Sequence, residues 1–192
     1  MLPGLGNSSG DYHKFAELLQ DKYNCDVEIA QVARIDWARN AAGLTDARYW
    51  KGTLSPRPTV DWYLNRIDGA LTALKDRGHT CPATMLTHSA GGWLGRVYLK
   101  EFGCQGIDRL VSLGSPHLPP AADAAGIVDQ TRGILTFCEE NFPGCHHEEV
   151  RTLSWTELHP CPGQWVYLLK TYSISVHRKR VRGHSYIFLE FH

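Results

Sequence analysis

Apolar positions along the first 142 residues alternate between a helical repeat and short continuous runs. Tyr12, Phe15, Leu18, Leu19 and Tyr23 recur at steps of three and four, which predicts a helix with Asp11 placed to cap it. VEIAQV, residues 27–32, reads as a strand. Val60, Tyr63, Ile67, Leu71 and Leu74 line one face of a second helix that starts after Pro56 and Pro58 and ends near Gly78. Residues 83–86 form a short apolar strand, and Leu94, Val97 and Tyr98 mark the inner face of a helix that Gly103 closes. IDRLVSL, residues 107–113, is a further strand, followed by the proline-rich loop GSPHLPPAADAAG. Ile127, Ile134, Leu135 and Cys138 give a loose helical stripe over residues 126–142. This alternation predicts an α/β fold: a mostly parallel sheet with helices on both faces. Beyond residue 150 the pattern changes, with no clean helical face, and QWVYLL and SYIFLEF are candidate strands.

The stretch with chemical content is MLTHSAGGWLGRVYL, residues 85–99. A strand that stops at His88-Ser89 and a helix that begins straight after the glycines give the context of a nucleophile elbow, G-x-S-x-G. The pentapeptide is Thr87-His88-Ser89-Ala90-Gly91, with threonine in place of the first glycine. The competing reading is an ordinary strand–helix junction that contains a serine. The opening segment MLPGLGNSSGDY carries the same pair of readings. It is either a plain flexible amino-terminus or a glycine-rich turn offering N–H groups to an anion. In open parallel sheets, sites form at the carboxyl ends of the strands. The opening loop, Ser89 and the loop at residues 114–120 all fall there.

Composition narrows the classes of function. A length of 192 residues suits one domain on a prior of about 150 residues per domain. Twenty Lys and Arg balance twenty Asp and Glu, so no global field points to nucleic acid or an acidic membrane. The basic run HRKRVR, residues 177–182, stands alone and reads as a solvated face, with no nucleic-acid partner expected. No apolar run approaches the ~20 residues that span a bilayer, and no secretory signal is read at the start. Six cysteines form no C-x-x-C pair, are expected reduced, and suggest no metal site. Trp37, Trp50 and Trp62 lie in or beside the long connection at residues 34–58, where they would pack the loop onto the domain or line a pocket.

Taken together, the blocks PGLGNSSGDY (3–12), RIDWARNAAGLTDARYWKGTLSPRPTVDWYLNRI (34–67), THSAGGW (87–93), LVSLGSPHLPP (110–120), VDQTRG (128–133) and Pro143-Gly144-Cys145-His146-His147 resemble the α/β-hydrolase superfamily. The nearer likeness is to a plant and cyanobacterial lipase-like branch related to inositol-deacylase-like proteins. The resemblance implies a serine esterase or lipase acting on an acyl ester or lipid, with no cofactor or metal, located in the chloroplast. It assigns Ser89 as the nucleophile and the N–H groups of Leu5 and Ala90 as the oxyanion hole. His88 and His117 would be buried, hydrogen-bonded neighbours rather than the base.

The family order is serine, then acid, then histidine. No aspartate follows Asp129, and His159, His177, His184 and His192 sit in no family context. The expectation is therefore a partial α/β-hydrolase core over residues 1–150, incomplete at both ends, with a divergent tail over 151–192. The strand that should lead into Pro3 is reduced to Met1-Leu2, and without a transit peptide the chain as written would be cytosolic. Two functional readings follow. One is a serine hydrolase in which His184, or His159 or His177, folds back as base with Glu157 or Glu190 orienting it. The other is a catalytically silent product that acts as a binding module or does nothing.

Overall fold

The computed structural model describes residues 1–120, 129–143, 150–155, 174–181 and 184–191. The elements in chain order are α1 (His13–Tyr23), α2 (Ala47–Lys51), α3 (Asp61–Asp76), β1 (Ala83–His88), α4 (Ala90–Phe102), β2 (Ile107–Leu113), α5 (Ile134–Asn141), β3 (Arg151–Trp155), β4 (Ile174–Val181) and β5 (His184–Phe191). Short 3-10 segments occupy Ser9–Tyr12 and Arg34–Thr45. The chain divides into two compact units, Met1–Glu157 and Leu158–His192.

The first unit is α/β, as the alternation predicts. β1, β2 and β3 form a parallel sheet in that order. Leu2 adds a parallel bridge to Thr87, with its N–H on Leu86 O at 2.8 Å and its carbonyl accepting His88 N–H at 3.1 Å. Residues 27–32, predicted as a strand, are not one. They run beside Met1-Leu2 through isolated bonds, such as Ala30 N–H to Met1 O at 3.0 Å. The tail expected from residue 151 also divides, because Arg151–Trp155 pairs with β2 from Arg109↔Arg151 to Leu113↔Trp155.

The core sits between the sheet and α3, α4 and α5. Leu2, Met85 and Leu110 converge beneath Gly95, where an added methyl would stand 2.8 Å from Met85 Sδ. On α3 the buried positions are Tyr63, Leu64 and Ile67, with Leu71 packed at the edge. A separate small cluster joins Tyr12 and Ala16 on and before α1 to Ile29. Asp11 does not cap α1. Its carboxylate takes the Ser8 N–H at 2.8 Å and pairs with Arg34, because Ser9–Tyr12 is already turned when the helix begins. Of the stripe predicted over residues 126–142, α5 begins only at Ile134, with Ile134, Leu135 and Cys138 buried; Ile127 lies outside the described residues. Trp37 packs as expected, whereas Trp50 is 69% exposed.

The second unit is described by one antiparallel hairpin, β4 with β5, in register from Ile174↔Phe191 to Val181↔His184. SYIFLEF is thus a strand, and the basic run from His177 to Val181 lies on β4. QWVYLL lies outside the described residues.

Gly69 is an exposed interior position of α3 with open space where a side chain would begin. Gly69→Ala is expected to stabilise the protein by about 1 kcal/mol through helix propensity. The urea midpoint reads this directly, and an unchanged or lower midpoint would refute the open environment assigned to that face.

Candidate active site

Strand β1 delivers His88 to the end of the sheet, and the chain reverses into α4 at a single residue. Ser89 has φ 50° and ψ −123°, a conformation that a residue with a side chain rarely holds. The surroundings fix it there: Ser89 N–H donates to Leu113 O at 2.9 Å, and Ser89 O accepts Gly92 N–H at 3.1 Å. Such strain costs of order 1–3 kcal/mol and persists only where packing over-determines it. Ser89 Oγ makes no hydrogen bond among the described residues. The helix begins at Ala90, three residues before the start straight after the glycines that the sequence suggests, and therefore includes them.

The glycines after the serine are required by space. A methyl on Gly91 would lie 2.6 Å from Leu2 O and 3.1 Å from Pro3 O, and one on Gly92 would lie 2.2 Å from Ser115 Oγ. The first motif position tolerates threonine because it is still inside the strand. Thr87 pairs with Ser112 on one side and Leu2 on the other, is buried, and donates its hydroxyl to Val111 O at 3.2 Å.

The opening loop crosses directly over this turn. A methyl on Gly4 would meet Ser89 Cβ and His88 Nδ1, each at 2.9 Å. Three aromatic residues from other segments hold the loop. Tyr63 donates its hydroxyl to Pro3 O at 2.6 Å, and Trp37 donates its indole N–H to Asn7 O at 2.8 Å. Tyr12 accepts the Gly4 N–H and the Asn7 amide, each at 2.9 Å, and its hydroxyl lies 2.8 Å from His88 Nδ1. Trp37 is itself wedged edge-on to Trp62 at 5.1 Å. Desolvation raises the Tyr12 and Tyr63 phenols above their usual range, so both remain protonated donors at neutral pH. Burial likewise holds the His88 imidazole below its usual range.

Behind the elbow helix lies a second polar group. His117 is buried, with Nε2 2.7 Å from Ser112 Oγ, and its pKa is lowered to about 4, first by burial and then by the Arg96 guanidinium. Arg96, on α4, donates to His117 O at 2.8 Å and to Phe142 O at 2.9 Å, which ties the elbow helix to the loop after β2 and to the end of α5. His117 is thus buried and hydrogen-bonded, the surroundings that the resemblance implies.

The structure brings Ser89, Ala90 and the loop bearing Leu5 together at one end of the sheet. Ala90 opens α4 and is buried, while Leu5 is 53% exposed. Neither the Leu5 nor the Ala90 N–H has a hydrogen-bond partner among the described residues. The proposed bases and orienting residues belong to other parts of the chain. His177 lies on β4, and His184 and Glu190 lie on β5 of the second unit. Glu157, His159 and His192 lie outside the described residues. Among the described residues no helix is long and apolar enough to cross a membrane, and no three His, Cys, Asp or Glu side chains cluster as metal ligands. Sequence reasoning missed the parts of Tyr12, Asn7, Trp37 and Tyr63: helical spacing places Tyr12 and Tyr63 inward without showing what their hydroxyls touch, and nothing in the pattern marks the bonds of Asn7 and Trp37. No protein-family model, no curated protein and no solved structure matches this chain.

Two outcomes follow from this packing. Gly91→Ala forces a methyl onto two backbone oxygens and is expected to destabilise by about 1–3 kcal/mol, as for overpacked sites. Denaturant unfolding measures this, and a loss below about 0.5 kcal/mol would mean that the chain at Leu2 and Pro3 yields freely. His117 supplies a pH dependence. Its folded pKa of about 4 lies below the unfolded value near 6.5, so the unfolded chain binds the proton first as pH falls. Its contribution is complete above pH 6.5, declines between 6.5 and about 4, and amounts to about 3 kcal/mol over that window. Comparing unfolding at pH 7 and pH 4.5, His117→Gln should lose less stability than wild type; equal losses would show that His117 is not held neutral.

Proposed function

We propose that the chain carries a serine-hydrolase site of the α/β-hydrolase type, an esterase or lipase acting on a small acyl ester or a lipid. One observation carries the reading: Ser89 is held at φ 50° on the turn between β1 and α4, with the glycine loop of residues 3–7 packed against it. A serine in that geometry exposes its hydroxyl, and the turn leaves the next N–H pointing where charge develops on an attacked carbonyl. In this reading Ser89 Oγ attacks the acyl carbon, and its proton passes to a base and then to the departing alcohol. The N–H groups of Ala90 and Leu5 hold the oxyanion, and water releases the acyl group in a second step. The chloroplast location implied by the family resemblance belongs to this reading too.

A second reading is favoured by the unpartnered hydroxyl. Without a base beside Ser89 the hydroxyl stays protonated, and oxyanion hole and binding alone leave a residual ~10³–10⁴-fold over water. The chain would then be a silent member of its class that binds ligand or partner without turning it over.

The deciding experiment is fluorophosphonate labelling of the folded protein, wild type against Ser89→Ala. The hydrolase reading expects covalent labelling of wild type and none of the variant. A folded wild-type protein that stays unlabelled sinks the reading and leaves the binding module.

A further inference from the structure

The proton count at Tyr12 leaves one arrangement. A tyrosine hydroxyl has two acceptor lone pairs and one proton. The Gly4 N–H and the Asn7 Nδ2 amide both donate to it at 2.9 Å, which uses its capacity to accept. Its single proton is then directed to the remaining neighbour, His88 Nδ1, at 2.8 Å. His88 is thereby fixed as the tautomer that accepts at Nδ1 and carries its proton on Nε2.

This places one hydroxyl between two chain segments that must be in register for oxyanion binding. On one side is Gly4, whose N–H is turned away to Tyr12, so that in this loop the free donor adjoining it is Leu5. On the other is His88, the residue that precedes Ser89. Gly4 itself is pinched between the His88 ring and Ser89 Cβ, with no room for a methyl. Tyr12 is 9% exposed and joined by ring contact to His88 at 5.9 Å between centroids. Its hydroxyl therefore ties the Gly4 peptide to the strand that ends in the elbow.

We propose that Tyr12 is the positioning residue of the oxyanion site: its hydroxyl locks the Gly4 peptide to His88 and so sets where the Leu5 N–H stands relative to Ser89. The proposal rests on the hydrolase reading for its consequence but not for its geometry, and the two can be tested apart. A purely packing role for Tyr12 would be met equally well by phenylalanine.

The test uses the whole chain, wild type and Tyr12→Phe, which keeps the buried ring. Nitrogen-15 spectra of the histidines in wild type should show His88 protonated at Nε2 with Nδ1 acting as acceptor; a proton on Nδ1 overturns the proposal without any variant. In Tyr12→Phe the Gly4 and Leu5 amides should shift and exchange with solvent at least ~10-fold faster. Inactivation by a fluorophosphonate should slow about 10- to 100-fold in its maximal rate and not in the concentration for half-maximal rate, approaching the loss of one oxyanion donor. Unchanged Gly4 and Leu5 amides, or an unchanged maximal rate of inactivation, overturn it. If wild type does not label at all, the hydrolase reading fails, while faster exchange at Gly4 and Leu5 in Tyr12→Phe still establishes the lock.

Discussion

Between the first turn of α4 and the chain at Leu2 and Pro3 there is no room for a single side-chain carbon. Gly91 meets two backbone oxygens, Gly92 meets Ser115, and Gly4 meets Ser89 itself. Everything else at the site depends on this contact. Leu2 can bridge to Thr87 only because α4 presents glycine there, and that bridge carries the following loop over the serine. The positive-φ turn at Ser89 sits at the same place, where the helix starts against the crossing chain. The strain is held by groups that would be costly to release, including the ladder bond from Ser89 N–H to Leu113 O.

The elements nearest the site were legible because their signals are local. A buried run, a serine, small residues and an amphipathic stripe closed by glycine specify β1 and α4, and IDRLVSL coincides with β2. VEIAQV reads as a strand because period and β-propensity describe what a segment would do beside a ladder partner, whereas here it makes only isolated bonds such as Ala30 N–H to Met1 O. Arg34–Thr45 reads in the sequence as part of a long connection, and its successive 3-10 turns go with short-range bonds such as the Ala33 N–H to the Asp36 carboxylate at 3.0 Å. Residue 87 shows the limit of motif matching. The first glycine of an elbow motif is a statement about space, and here the space belongs to a strand residue whose hydroxyl has a partner.

The aromatic content of the chain finds its use in the same place. Trp37 and Tyr63 belong to segments remote in sequence from the opening loop, yet each spends its one polar hydrogen on a carbonyl of that loop. Burying an aromatic ring contributes area, but a buried phenol or indole must also find an acceptor. A short glycine-rich loop has carbonyls to offer and little side chain of its own to anchor it. The two needs meet, and the loop is anchored through the acceptors that the buried aromatic tips require. Helical periodicity places Tyr63 inward, and the loop aromatic Trp37 is expected to pack, but neither signal says what the polar tip touches.

That division bears on how the chemistry is distributed. The oxyanion half of a serine hydrolase consists of backbone N–H groups, and in the proposed reading one of them belongs to a loop that the side chains of Tyr12, Trp37 and Tyr63 hold in place. The base is a separate requirement, met by one side chain within hydrogen-bond reach of Ser89 Oγ, and it contributes nothing to the packing around Gly4, Gly91 or Gly92. The two halves can therefore be gained and lost independently. Under the proposed reading, a chain that keeps the first half can receive a carbonyl oxygen beside those N–H groups, and a binding module and a slow esterase then differ by one proton acceptor.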